Sequence, residues 1–172
     1  MFVEIRLSGT INDSIVDGMG IRYTVFVQGC PHGCDGCHNP QTHDFKGGYI
    51  SDTDELLREI LNNPLLDGVT FSGGEPFCQP APLAALAKGV KAAGLNVACY
   101  TGYTFEKLLE MSNTDDDVKT LLYECDVLID GPFVLEKRDL LLRFRGSGNQ
   151  RIIDVRKSLQ QGKATDCDEW LA

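Results

Sequence analysis

The chain has 172 residues, 42% of them hydrophobic and 24% charged, the make-up of a globular protein with one core, not of a disordered or fibrous chain. A formal net charge of −9 argues against nucleic acid as a partner, because phosphate contacts need clustered Lys and Arg. The start, Met-Phe-Val-Glu-Ile-Arg, lacks the apolar core of a signal peptide. The most apolar later stretch, residues 81–100, is broken by Lys88 and Lys91, so no membrane partner is expected. Seven cysteines without a secretion signal point to a reducing, cytoplasmic setting in which thiols bind metal or pack. No repeat, low-complexity run or linker divides the chain, so residues 1–172 read as one domain.

Residues 22–29, rich in β-branched and aromatic side chains, predict a strand. Directly after it comes Cys30-Pro-His-Gly-Cys34-Asp-Gly-Cys37-His-Asn-Pro40. Three thiols in so short a run, with no fourth nearby, suit an iron–sulfur cluster with one iron left open to a ligand. The spacing of Cys34 and Cys37 also suits zinc. Because His32, His38 and His43 lie in the same loop, a Cys3His zinc site in a non-catalytic binding module stays open on the cysteines alone.

Further along, Ser51 or Asp52 caps a helix to about residue 62, with Leu56, Leu57, Ile60 and Leu61 on its buried stripe. A short strand at 68–71 ends in the turn Ser72-Gly73-Gly74-Glu75. A helix over 80–93 is stopped by Gly94, a strand follows at 95–100, and Thr104 opens a helix over 105–111. Residues 118–123 predict a helix and 125–129 a buried strand ending at Asp130-Gly131. Residues 140–145 and 151–155 read as two strands joined through Gly146-Ser-Gly-Asn149. Strands alternating with helices predict an α/β fold with a mainly parallel sheet. The cysteine loop, the Gly-Gly-Glu turn, Thr101-Gly102 and Asp130-Gly131 each follow a strand, so all fall at the C-terminal strand ends, where such folds build their sites.

Gly18, Gly20, Arg22, Phe26 and Gly29 before the three cysteines resemble the signature of radical-activating enzymes in the radical S-adenosylmethionine superfamily. Ser72-Gly73-Gly74-Glu75-Pro76 resembles that superfamily's GGE motif. Arg145-Gly-Ser-Gly-Asn-Gln-Arg151-Ile-Ile-Asp-Val155 resembles one branch, the activators of anaerobic ribonucleoside-triphosphate reductase. The resemblance spans residues 18–155. It implies a minimal version of the radical SAM partial, open β/α barrel, in which Cys30, Cys34 and Cys37 hold one 4Fe–4S cluster. The open iron would bind S-adenosylmethionine through its amino and carboxylate groups, and a 5′-deoxyadenosyl radical would take hydrogen from a glycine Cα of the partner reductase. The radical chemistry is the cofactor's, so no side chain is expected to act as a catalytic acid or base. Reduced flavodoxin is the implied electron donor.

Within that resemblance, Gly73 and Gly74 would let the backbone approach the ligand, Glu75 would accept from its ammonium, and Asp130 would bind the ribose hydroxyls or cap the next segment. Thr101 carries the same two readings. Many superfamily members have an aromatic residue before the third cysteine that contacts adenine. Here it is Gly36, which leaves the adenine to backbone around Gly36, Cys37 and His38. The alternatives are an activator of another glycyl-radical enzyme of formate-lyase type, a radical enzyme acting on a small molecule, and the zinc module. Cys99 and Cys125 read as core, Cys78 as packed and Cys167 as exposed. Trp170 docks the tail or a partner, and Arg143, Arg145, Arg151 and Arg156 are either a solvated face or contacts to ligand or partner.

Overall fold

Residues 3–172 are described by the computed structural model. Four strands with short runs of β-branched and aromatic residues lie side by side and parallel: β2 (Arg22–Val27), β4 (Gly68–Gly73), β5 (Asn96–Tyr100) and β6 (Val127–Asp130). Antiparallel strands flank them, β1 (Glu4–Ser14) and β3 (Tyr49–Asp52) on one side and β7 (Arg151–Asp154) on the other. The order β3-β1-β2-β4-β5-β6-β7 leaves β3 and β7 as edges, so the α/β sheet is open and does not close on itself.

Alternation along the strands decides what each face meets. Tyr23, Val25, Val69, Phe71, Val97, Cys99 and Leu128 point to one side and join the main core. Helices α1 (Thr53–Leu61), α2 (Pro80–Ala92), α3 (Phe105–Ser112) and α4 (Asp116–Glu124) cover that side with Leu56, Leu83, Leu108 and Leu121, among others. Full burial of side chains this size is worth about 1.5–3 kcal/mol each. Parallel strands added in one direction through crossovers of one hand put all their helices on one face. The other face is thereby left for a site. Asp52, Thr104 and Asp115 accept hydrogen bonds from Glu55, Lys107 and Val118 N–H groups and so fix where these helices begin.

On the second face Ala98, Val127, Ile129 and Ile152 pack with Cys167 and Trp170. The chain reaches them through α5 (Val155–Gln161) and α6 (Asp168–Leu171). Trp170 docks this tail: Arg22, fully buried, lies 5.2 Å over its ring. Arg22 also bonds Thr70 Oγ1 (2.6 Å), Asn96 Oδ1 (2.6 Å) and the carbonyls of Met19 and Val69 (2.9 Å each). Burial lowers its pKa to about 10. Gly18 belongs to the same packing, since a Cβ there would lie 2.7 Å from the Trp170 ring.

Several sequence expectations give way. Residues 140–145 form no strand; they belong to a looped connection between β6 and β7 whose one bridge pairs Arg138 with Ser147. The apolar run there meets no sheet, and Leu140 and Leu141 are 79% and 93% exposed. Leu61 is exposed at the end of α1, Cys167 is buried beneath α6, and Cys78 is exposed. Cys99 and Cys125 are buried as expected. Among the described residues no helix is long and apolar enough to cross a membrane.

Candidate active site

At the C-terminal ends of β2, β4, β5 and β6 the loops enclose an open cavity of about 560 Å³, a size suited to a cofactor or other small molecule. Cys30, Cys34 and Cys37 line one part of it, Gly73 and Gly74 another, and Thr101, Gly102 and Gly131 the rest of the strand-end rim. The fourth contribution is the β6–β7 connection, which adds Phe133, Phe144, Arg145, Gly146 and Gln150.

The cysteine loop is tied down at both ends. Gly29 and Cys30 N–H groups donate to the carbonyls of Thr42 and His43 (2.7 and 3.2 Å). Gln28, 4% exposed, reaches from β2 to the carbonyls of Gln41 and Asp44 (3.0 and 2.7 Å) and fixes the returning strand of the loop. Asn39 N–H donates to Cys37 Sγ at 3.4 Å, a contact that stabilises thiolate character at a sulfur ligand. Burial pushes the Cys30 thiol above its ordinary range, and negative charge on Glu75, Cys34 and Cys37 pushes the same way. A cationic metal centre removes that penalty. Three thiols on one cavity lining, one of them receiving a backbone N–H, are the donor set an iron–sulfur cluster takes, although among the described residues no three His, Cys, Asp or Glu side chains converge closely enough to hold a single metal ion.

The Gly-Gly-Glu turn has a different job from the one its motif suggests. A Cβ on Gly73 would lie 2.6 Å from Val27 N, and one on Gly74 would lie 2.3 Å from the Gly29 carbonyl oxygen. These glycines let the cysteine loop's own backbone come close, and Gly74 and Glu75 N–H groups bond the Val27 and Gly29 carbonyls at 2.8 Å. Glu75 is fully buried, and its carboxylate is committed within the protein. It accepts from Thr101 Oγ1 (2.9 Å), Gly102 N (2.8 Å) and Phe77 N (2.9 Å), and lies 2.6 Å from His32 Nε2. The motif's acid therefore staples the ends of β4 and β5 to the cysteine loop and does not line the cavity.

Asp130 is likewise turned away. It is 1% exposed and binds Arg151 Nε and Nη2 (3.0 and 2.5 Å) and Phe105 N (2.8 Å), which anchors the start of α3. Asp130 and Glu106 raise the Arg151 pKa, and Arg151 in turn lowers that of Glu106. Thr101 reaches the cavity, though its hydroxyl is spent on Glu75. Gly36 and His38 both face the β6–β7 connection. A Cβ on Gly36, whose φ is +73°, would lie 2.9 Å from Leu135 Cδ1 and 3.4 Å from Phe133 Cε1. His38 stands edge-on to Phe133 at 5.2 Å. Gly36 has little room for a Cβ because Leu135, with Phe133 beyond it, occupies the space beside it, and its positive φ separately favours glycine.

Sequence reasoning passed over His32 as an anchor, Gln28, Phe133 and Gln150. No local pattern marks them; only Gln150, inside the Arg145–Val155 run, carried a signal. Its Oε1 accepts from Gly146 and Ser147 N–H groups (2.8 and 3.1 Å) and its Nε2 donates to the Gly131 carbonyl (3.1 Å). That side chain folds the late loop against the end of β6.

A three-thiol loop above the open end of a parallel sheet, stapled to a Gly-Gly-Glu turn, defines the site of a radical S-adenosylmethionine activating enzyme. The family model described as a 4Fe-4S single cluster domain matches residues 16–153. The anaerobic ribonucleoside-triphosphate reductase-activating protein of Vibrio cholerae is 35% identical over 147 residues, covering 80% of this chain and 90% of that protein. The pyruvate formate-lyase-activating enzyme of Clostridium pasteurianum is 40% identical over 129 residues, covering 65% of this chain and 54% of that enzyme. Among solved structures, QueE from Escherichia coli aligns with a TM-score of 0.49 and 19% identity over 59% of this chain and 53% of its own. The chain belongs to the family of anaerobic ribonucleoside-triphosphate reductase-activating proteins.

Proposed function

We propose that this chain, as one domain over residues 1–172, holds a single 4Fe–4S cluster and S-adenosylmethionine and generates a glycyl radical on an anaerobic ribonucleoside-triphosphate reductase. The observation that carries the reading is the single cavity lined by all three loop cysteines and by the glycines of the Gly-Gly-Glu turn. Cys30, Cys34 and Cys37 hold the cluster, and Asn39 N–H steadies the third sulfur. Gly73, Gly74, Thr101, Cys37 and His38 form the cofactor's bed, with Gly36 just outside that lining against Leu135, while Glu75 and Asp130 hold that bed in shape. Loaded and reduced by one electron, such a site supplies a 5′-deoxyadenosyl radical, which general-base chemistry cannot replace because an aliphatic Cα–H is a poor acid. The apolar lining from Phe26, Phe133 and Phe144 keeps water from it. The open mouth admits a glycine-bearing loop, whose lack of a side chain permits close approach. Reduced flavodoxin is the donor proposed, in the cytoplasm.

A second reading, activation of a formate-lyase, draws on the identity to the Clostridium enzyme. Coverage favours the first: the chain spans 90% of the reductase activator and 54% of the formate-lyase activator. Anaerobic incubation of the reduced protein with S-adenosylmethionine and each candidate partner decides between them. We expect methionine, 5′-deoxyadenosine and a doublet paramagnetic signal with the reductase, and deuterium moving from its glycine Cα into the deoxyadenosine. A radical on the formate-lyase alone selects the second reading. Consumption of a small molecule with no protein radical defeats both.

A further inference from the structure

The four most exposed large apolar side chains among the described residues are Leu141, Leu140, Ile15 and Val16. Single exposed apolar groups are ordinary on a protein surface, whereas a concentration of them marks a contact site. These four sit on two segments that run into the cavity lining. Val16 is itself part of that lining, and so are Phe144 and Gly146, a few residues beyond Leu141.

The two leucines are held out by a built turn. Residues 137–148 close on themselves: Arg138 bridges Ser147, Gly148 N–H donates to the Lys137 carbonyl (2.9 Å), and Asp139 N–H donates to the Gly146 carbonyl (3.2 Å). At the tip, Asp139 Oδ1 accepts from Leu141 N–H (2.9 Å) and the Asp139 carbonyl accepts from Leu142 N–H (3.4 Å), an Asx turn that satisfies the backbone locally. Leu140 and Leu141 are thus displayed on a fixed frame and do not fold back onto the body.

Charge singles out the same stretch. Residues 131–150 carry four Lys and Arg against two carboxylates, in a chain whose net charge is −9. Arg143 is engaged by the Phe144 ring and the Ala172 carbonyl. Lys137 and Arg138 are exposed, and among the described residues neither joins a salt bridge.

We infer that the turn at residues 137–142 is the docking surface for the partner reductase, an assignment that rests on the functional reading above. Leu140 and Leu141 enter an apolar socket of the reductase, and Lys137 and Arg138 meet carboxylates at its edge. The acidic remainder of the chain repels such a surface, so attraction is confined to this stretch and brings the partner to the cavity mouth. Because the turn continues into the Phe144–Gly146 lining, a partner seated on it holds its glycine loop before the cavity. A second copy of this chain could also offer carboxylates, but it would stand beside the mouth that the glycine loop has to enter.

The test uses the cluster-loaded protein with the reductase of the same organism. It reads glycyl-radical formation against reductase concentration, and 5′-deoxyadenosine release without reductase as a second measure. Leu140→Ser/Leu141→Ser and Lys137→Glu/Arg138→Glu should each keep the iron and the partner-free cleavage of S-adenosylmethionine, and raise the half-saturating reductase concentration about tenfold or more. The charge-reversed variant should also lose the weakening of the wild-type encounter by salt. Leu65→Ser, at a leucine 64% exposed in the connection entering β4, is the control for losing any exposed apolar group and should match wild type. Wild-type half-saturation in both double variants overturns the assignment, as does an equal effect of Leu65→Ser. Partner-free cleavage that falls in step with radical formation also overturns it, because the turn would then be shaping the cofactor site. So does a wild-type dimer that the leucine variant dissolves with half-saturation unchanged, which would give the turn to a second copy of this chain. A wild-type protein that cleaves S-adenosylmethionine yet forms no radical on the reductase at any concentration fails at the functional reading itself and removes the basis of the inference.

Discussion

At Glu75 the chemistry of one side chain decides what a motif means. Its carboxylate serves four neighbours, Thr101, Gly102, Phe77 and His32, from a fully buried position. Glu75→Ala would strand buried donors, so we expect a loss of about 3 kcal/mol or more, with iron falling alongside because the cysteine loop loses its anchor to β4 and β5. Urea unfolding with iron analysis checks this; stability and iron both at wild-type level would return Glu75 to a ligand-binding role. Glu75→Gln, which keeps an acceptor, should lose less. The cysteines give a sharper contrast. Cys34→Ala should abolish the cluster, whereas Cys99→Ala, in the core behind β5, should leave iron in place at a cost of about 1 kcal/mol from the lost buried sulfur. Sequence alone located Cys30, Cys34, Cys37 and Glu75 because spacing is local. It could not say that Glu75 faces away from the cavity, since Thr101 and Gly102, which capture it, arrive from the next strand.

Elements succeed or fail in the sequence according to whether their signals are local. Helices α1 to α4 were legible from caps such as Asp52 and Thr104 and from apolar periodicity, and the central strands from β-branched runs, whereas the short α5 and α6 were not. β1 escaped notice because Gly9, Asn12 and Asp13 dilute its pattern and only Ile5, Leu7 and Ser14 are buried along it. Residues 140–145 misled in the opposite direction. Their leucines resemble a strand, but the clamp made by Gln150 and the bond from Val134 N–H to Ser147 Oγ fold that segment as a loop. The Gly-Gly turn is a contact between elements, which yields a test. Gly74→Ala puts a methyl group against the Gly29 carbonyl at 2.3 Å, and neither backbone can yield without moving the cysteine loop. We expect about 1–3 kcal/mol of destabilisation from such overpacking and a cluster that is lost faster to a chelator. Gly94→Ala meets no atom within 4 Å, though its φ of +84° still costs backbone strain; it should destabilise without changing the rate of iron loss. Equal rates of iron loss in the two variants would sever the turn from the cluster.

For the molecule as a whole, the parallel strands and their helices form one framework, and the cavity touches the ends of β2, β4, β5 and β6 together. A ligand seated there spans loops that Glu75, His32 and Gln150 already help to join, so its binding should stabilise the entire fold and not one loop. At a hundredfold excess over Kd, the linkage is about 2.7 kcal/mol. A chain of this length shifts its Tm by about 2–4 °C per kcal/mol, which puts the expected rise at about 5–11 °C for the cluster-loaded protein with S-adenosylmethionine under anaerobic conditions. The same addition to Cys34→Ala should raise Tm by much less, because without the cluster the ligand would lose its anchor beside the three cysteines. Hydrogen exchange gives the spatial check: protection should grow at the ends of β4, β5 and β6 and in the β6–β7 connection as well as in the cysteine loop. A rise in Tm of equal size in both proteins would mean that the ligand binds away from the three cysteines, and protection confined to the cysteine loop would mean that the four strand ends do not act as one site.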